Sequence, residues 1–175
     1  MKLTKTERWI LFNQFQILEK LGGTDYSPVE TCKRTAEALS CGYELDYAYL
    51  SPHIYDGDDV LPADECREVL EILGMYDALQ FSHQQLGSKS LVSEHDVKFP
   101  GFDGNNEGSQ LSYAHFIIKD HRFESLISLN KDLNSHMPTL ELYRRMLAMW
   151  KPLQLKPLPL SPAEAKAIID VKHRD

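Results

Sequence analysis

The sequence predicts an all-α fold: a single multihelical domain over 1–175, with about five to seven helices and a Gly/Asn-rich loop near 100–108. Three observations predict it. A hydroxyl residue is followed three positions later by an acid at Thr4–Glu7, Ser27–Glu30 and Ser161–Glu164, the pattern of a capped helix start. Apolar residues recur along several segments with a helical period. Glycine or proline punctuates those segments, proline at the starts and glycine at the ends.

The first helix runs from Thr4 to the Gly22-Gly23 stop. On its helical projection Ile10, Leu11, Phe15, Ile17, Leu18 and Leu21 form one wide apolar band, with Gln14 near its middle. A buried amide there must find partners. Trp9 and Phe12 fall on the opposite side, among Asn13, Gln16 and Lys20, and need a cover from this chain or from a second subunit. The second helix starts at Ser27, with Pro28 at its first position, and ends at Gly42; a short helical turn follows over 45–50. A third helix covers 63–82, setting Val69, Leu70, Ile72, Leu73, Tyr76 and Leu79 opposite Arg67, Glu68 and Glu71. Val97, Lys98 and Phe99 lead into Pro100 and are expected to be extended. Further helices are expected over 109–120 and 140–150, with a short turn over 123–129 between them. In the 140–150 helix Leu140, Leu142, Tyr143, Met146, Leu147, Met149 and Trp150 make the core band. Three prolines punctuate 151–159 before a last helix from Ser161.

Charge and composition exclude several functions. Acids outnumber bases 26 to 19, and the net charge is −7. Residues 1–87 carry 15 acids against 7 bases, which argues against a nucleic-acid footprint. No apolar run reaches membrane-spanning length and the N-terminus lacks a signal-peptide core, so the expected location is the cytoplasm. Cys32, Cys41 and Cys66 are odd in number and scattered, as in a reducing compartment. The seven histidines contain no pair at i, i+4. No metal and no cofactor is expected, and the apolar stripes suffice for a core. No arginine from Arg8 to Arg145 has a histidine five to seven residues later, as helical ribonucleases require. GxSxG, P-loop and HExxH motifs are absent too.

Two acidic loops remain as candidate chemistry. In the loop 99–108, Asp103, Asn105, Glu107 and Gly108 occupy positions 1, 3, 5 and 6 of a calcium-loop pattern, but position 12 is Ala114 where a bidentate Glu is needed. The loop either turns the chain, with one of its acids or Ser109 capping the next helix, or holds an ion or a catalytic carboxylate pair. Asp56, Asp58 and Asp59, followed by Asp64 and Glu65, form either a magnesium-binding cluster or a solvated loop before a helix start. Arg144 and Arg145 near Lys151 form a small basic patch on a solvated helix face.

A family resemblance spans nearly the whole chain. Thr4-x-x-Glu7-Arg8-x-Ile10-Leu11-x-Asn13-Gln14-Phe15 opens it, followed by Glu65-Cys66-Arg67, Ile72 and Met75-Tyr76-x-Ala78-Leu79. Gly101-Phe102-Asp103, Tyr113, Phe116 and Tyr143-x-Arg145-Met146-Leu147-x-x-Trp150 come next, then Leu160-Ser161-x-x-Glu164 and Ile168-Ile169. Together these resemble the bacterial YfbU family. The resemblance implies a small, helical, cytoplasmic bacterial protein and supplies no catalytic residues. The leading expectation is a non-enzymatic, homo-oligomeric interaction or regulatory module, associating with itself or with another protein, with Trp9 and Phe12 at the interface. The competing expectation is a metal-assisted hydrolase built on Asp103 and Glu107 with His115 or His121. An enzyme of that kind would bring those four side chains together in one pocket.

Overall fold

The computed structural model describes residues 2–51, 54, 60–128 and 132–173. Among them lie seven α-helices and several short 3-10 segments. The extended pairing is an isolated bridge between Phe102 and Asn134, so the fold class is all-α. The chain forms two units, Met1–Val60 and Leu61–Asp175.

In the N-terminal unit, α1 (Lys5–Lys20) opens with the expected capping box: the Glu7 N–H donates to Thr4 Oγ1 and the Thr4 N–H to Glu7 Oε2. Gly22 and Gly23 both take positive φ and reverse the chain. α2 (Val29–Cys41) does not use Ser27 as its cap. The Ser27 N–H and carbonyl are engaged by Thr24 in a local turn, so Pro28 is the N-cap and the helix starts one residue later than expected. Gly42, at φ 77°, ends α2, and a 3-10 segment over Glu44–Tyr49 follows. The core of this unit is Phe15, Cys32, Ala36, Leu39 and Tyr47, with Leu3, Leu11, Phe12, Leu18 and Leu50 half-buried against it.

In the C-terminal unit, α3 (Ala63–Leu86) is the long central element, about 36 Å by its rise per residue. It runs a turn past the expected end and buries Met75 and Ala78 as well as the expected stripe. A short α4 (Glu94–Val97), unforeseen from the sequence, carries its own capping box from Ser93 and Asp96; the extended stretch begins only at Lys98. α5 (Gly108–Lys119), α6 (Leu140–Trp150) and α7 (Pro162–Asp170) complete the unit, α7 with the expected Ser161–Glu164 box. In α6 Met149 is exposed, outside the buried band it was expected to join.

Tyr76, Phe99, Phe102 and Tyr143 form a buried aromatic cluster with ring centroids 5.1 to 5.9 Å apart, mostly tilted or edge to face. Lys172 lies with its ammonium 5.3 Å over the Tyr76 ring and donates to the Asp96 carbonyl; burial lowers its pKa, partly offset by Asp96. Ser82, fully buried in α3, donates to the Ala78 carbonyl and accepts the Leu160 N–H at 2.8 Å, pinning the segment that enters α7. Ser82→Ala leaves that N–H unpaired and is expected to cost about 1–3 kcal/mol, read as a lower urea midpoint at unchanged slope.

Candidate functional site

The four residues considered for catalysis are divided between a buried knot and the surface. Gly101, at φ 96°, lets the chain pass against Leu133: the Phe102 N–H donates to the Leu133 carbonyl and the Ser135 N–H to the Phe102 carbonyl. That brings the loop beside the start of α6. Asp103, 2% exposed, accepts the Asn105 N–H and the Asn106 side-chain amide.

Glu107, 4% exposed, turns away from its own helix. Its Oε1 accepts the Thr139 N–H at 2.7 Å and the Leu140 N–H at 2.8 Å; its Oε2 accepts the Asp103 N–H at 2.9 Å and faces the Thr139 hydroxyl at 2.8 Å. Four donors occupy the roughly four lone-pair sites of a carboxylate. Glu107 therefore caps α6 rather than α5, and it sits where the helix dipole favours an anion. Burial alone would push its carboxyl up, but the donors from Asp103, Leu140 and Thr139 outweigh it and hold the pKa below the ordinary value. Tyr143 Oη donates to the Gly101 carbonyl at 2.6 Å and closes the knot. The calcium-loop pattern is thus filled by the protein's own donors, and Ala114 at its twelfth position is buried.

The two histidines lie on the surface with other partners. His115 Nε2 contacts the Asp132 carbonyl at 3.0 Å. His121 pairs with Glu124, which raises its pKa. Neither shares a hydrogen bond with Asp103 or Glu107, and the grooves described next are lined by other residues. Among the described residues no group of three or more His, Cys, Asp or Glu side chains is placed to hold a metal. The Asp56, Asp58 and Asp59 cluster, with His53, lies outside the described residues.

One charged groove of about 500 Å³ runs between the start of α3 and the end of α6. Two of its three cations are paired with acids. Arg144 forks onto Glu68 and reaches Glu141, and Lys151 pairs with Glu71, so the expected basic patch meets the acids of α3. The pairing raises the pKa of Arg144 further. Glu65 accepts an amide proton from Gln110.

The outer side of α1 is of a different kind. Trp9, Ile10, Ile17 and Leu21 are 66%, 49%, 57% and 75% exposed. The wide apolar band expected to be buried is therefore split: Leu11, Phe15 and Leu18 go inward, while Ile10, Ile17 and Leu21 face out. Phe12, expected to lie outside, packs half-buried on the core, although it still shares with Trp9 a groove of about 280 Å³ against Leu39. Gln14 is exposed, so no buried amide has to be satisfied there. The reason is the width of α2. Its seam of Cys32, Ala36 and Leu39 is narrow and made of small or single side chains, enough to cover one side of α1. That narrow seam was the available sequence signal for the exposed stripe.

Trp9, Ile10, Ile17 and Leu21 share this outer side with Thr6, Asn13 and Gln16, all exposed, and with Lys20; Lys5 and Glu7 are exposed at its edges, Lys5 beside Trp9. Depletion of charge in an exposed apolar strip is the compositional mark of an interface core.

Comparison with known proteins finds relatives along the whole of this architecture. The YfbU domain model matches residues 1–171, across both units. A UPF0304 protein of Methanocaldococcus jannaschii is 31% identical over 175 residues, covering 96% of this chain and 99% of its own length. UPF0304 proteins of Actinobacillus succinogenes and Mannheimia succiniciproducens are 30% and 32% identical, each over 86% of this chain and 88% of their own. The relatives thus include an archaeal protein beside bacterial ones.

Proposed function

The chain belongs to the YfbU family, and from that premise we propose that it is a non-catalytic interaction or regulatory protein of the cytoplasm, working as a homo-oligomer joined through the outer side of α1. One observation carries the reading: Trp9, Ile10, Ile17 and Leu21 stand exposed on a nearly uncharged helix side. At ~150–250 Å² for a whole large side chain, the four expose roughly 500 Å² per copy. Two copies would bury about 1,000 Å² from these residues alone, which reaches the lower bound for a specific interface. The location is supported by the absence of any described helix long and apolar enough to cross a membrane and by the unpaired cysteines.

Sedimentation velocity tests the reading. The wild type is expected to sediment as a dimer at micromolar concentration, and Ile17→Glu as a monomer with unchanged helical circular dichroism. Surface substitutions of this kind move stability by only about 0.5 kcal/mol, so loss of the dimer would reflect the interface. A wild type that stays monomeric at tens of micromolar sinks the proposal; a dimer indifferent to Ile17→Glu removes α1 from it.

A further inference from the structure

We infer that two copies pack their α1 helices antiparallel across a two-fold axis between Asn13 and Gln14, an inference that rests on the homo-oligomer proposed above. The occupant of the exposed strip is then a second copy of this chain, because the strip is complementary to itself in reverse. Turned end for end about that point, Ile10 meets Ile17 of the second copy, Thr6 meets Leu21, and Asn13 meets Asn13 beside the axis. The isoleucines fall on one another, Leu21 covers the Thr6 methyl, and the two Asn13 amides can exchange hydrogen bonds beside the axis. Thr6, Ile10, Asn13 and Ile17 follow one another at spacings of four, three and four, so they form a single row along the helix. Trp9 and Lys20 lie on the same flank of that row. Reversal places each ammonium beside the indole of the other copy, where a cation–π contact forms.

A parallel pairing is worse on each count. It sets Lys20 against Lys20 and aligns the two helix dipoles. The exposures of Ile10, Ile17 and Leu21 match the reversed arrangement, since both ends of the helix present apolar surface while its middle presents amides.

Cysteine cross-linking tests the geometry. In a Cys41→Ser, Cys66→Ser background, with Cys32 left buried, a short bis-maleimide is applied to the full chain carrying one added cysteine at an exposed site of α1. Asn13→Cys sits beside the axis and is expected to link to itself. Leu21→Cys is not: the two sites would lie fifteen residues apart along the helices, about 22 Å. A mixture of Thr6→Cys chains with Leu21→Cys chains is expected to give the mixed dimer. Self-linking at Leu21→Cys would mean a parallel pairing and would overturn the inference. So would failure of Asn13→Cys to link while the wild type sediments as a dimer, an outcome that leaves self-association standing and places its contact elsewhere. A monomeric wild type overturns both the register and the proposal beneath it.

Discussion

Gly101→Ala is expected to remove cooperative folding of the C-terminal unit, the largest effect of any single methyl group added to this chain. At φ 96° the backbone is in a region that side chains rarely enter. A Cβ built there falls 1.8 Å from the Leu133 carbonyl oxygen, 2.2 Å from its carbon and 2.9 Å from the Asn134 nitrogen, where carbon contacts settle at about 3.5–4.0 Å. None of these atoms can swing aside, because all are main chain. Leu133 is fully buried and itself at φ 50°, and its carbonyl is held by the Phe102 N–H. Relief requires separating residues 101–102 from 133–135, which releases Phe102 from the aromatic cluster. The cost belongs to the exceptional class above about 4–5 kcal/mol, a large share of the roughly 5–15 kcal/mol that stabilises a domain. Urea unfolding followed by circular dichroism is the check, and a midpoint equal to the wild type would refute the close approach.

Glu107→Gln is expected to cost about 3–5 kcal/mol at neutral pH, again read from urea unfolding. The amide keeps one accepting oxygen and turns an NH₂ group toward donors, so at least one buried N–H loses its partner, and the bonds that remain lose the charge that strengthens them. The acid side of the stability profile separates this from a packing effect. The carboxyl of Glu107 is held below its ordinary value. Its stabilisation is therefore complete above the unfolded pKa of about 4.3 and is lost as pH falls through that value toward the lower folded one. The wild type is expected to weaken on acidification through this window, and Glu107→Gln to show a shallower slope there. Equal acid slopes would mean that Glu107 titrates alike in the folded and unfolded chain.

These two positions also mark what the sequence could and could not disclose. Local signals were legible. The Thr4 and Ser161 boxes and the 140–150 helix follow from residues within a few positions of one another, and each occurs at the expected place. Ser27 misled because its own N–H, which the Glu30 carboxylate would take in a capping box, is taken by the Thr24 hydroxyl. The role of Glu107 was hidden because its partners Thr139 and Leu140 lie 32 and 33 residues downstream; a cap supplied from another loop leaves no local pattern. The outer strip of α1 was misread for a related reason. Helical periodicity gives the width of an apolar band, while the side that is covered depends on the neighbour, and the neighbour here is the slender seam of α2.

The modest size of the N-terminal core has a further consequence. Among the described residues one cluster of five buried side chains, Phe15, Cys32, Ala36, Leu39 and Tyr47, forms the core of a unit of some sixty residues, a size at which single cores become marginal. Such a body gains disproportionately from anything that binds only its folded form, and the gain grows with the logarithm of the binder's concentration. Were a second copy that binder, as proposed above, folding and association of this unit would become one equilibrium. Its stability would then be set by abundance as well as by sequence: dilution would loosen it, and the level of expression would become a thermodynamic variable of the fold.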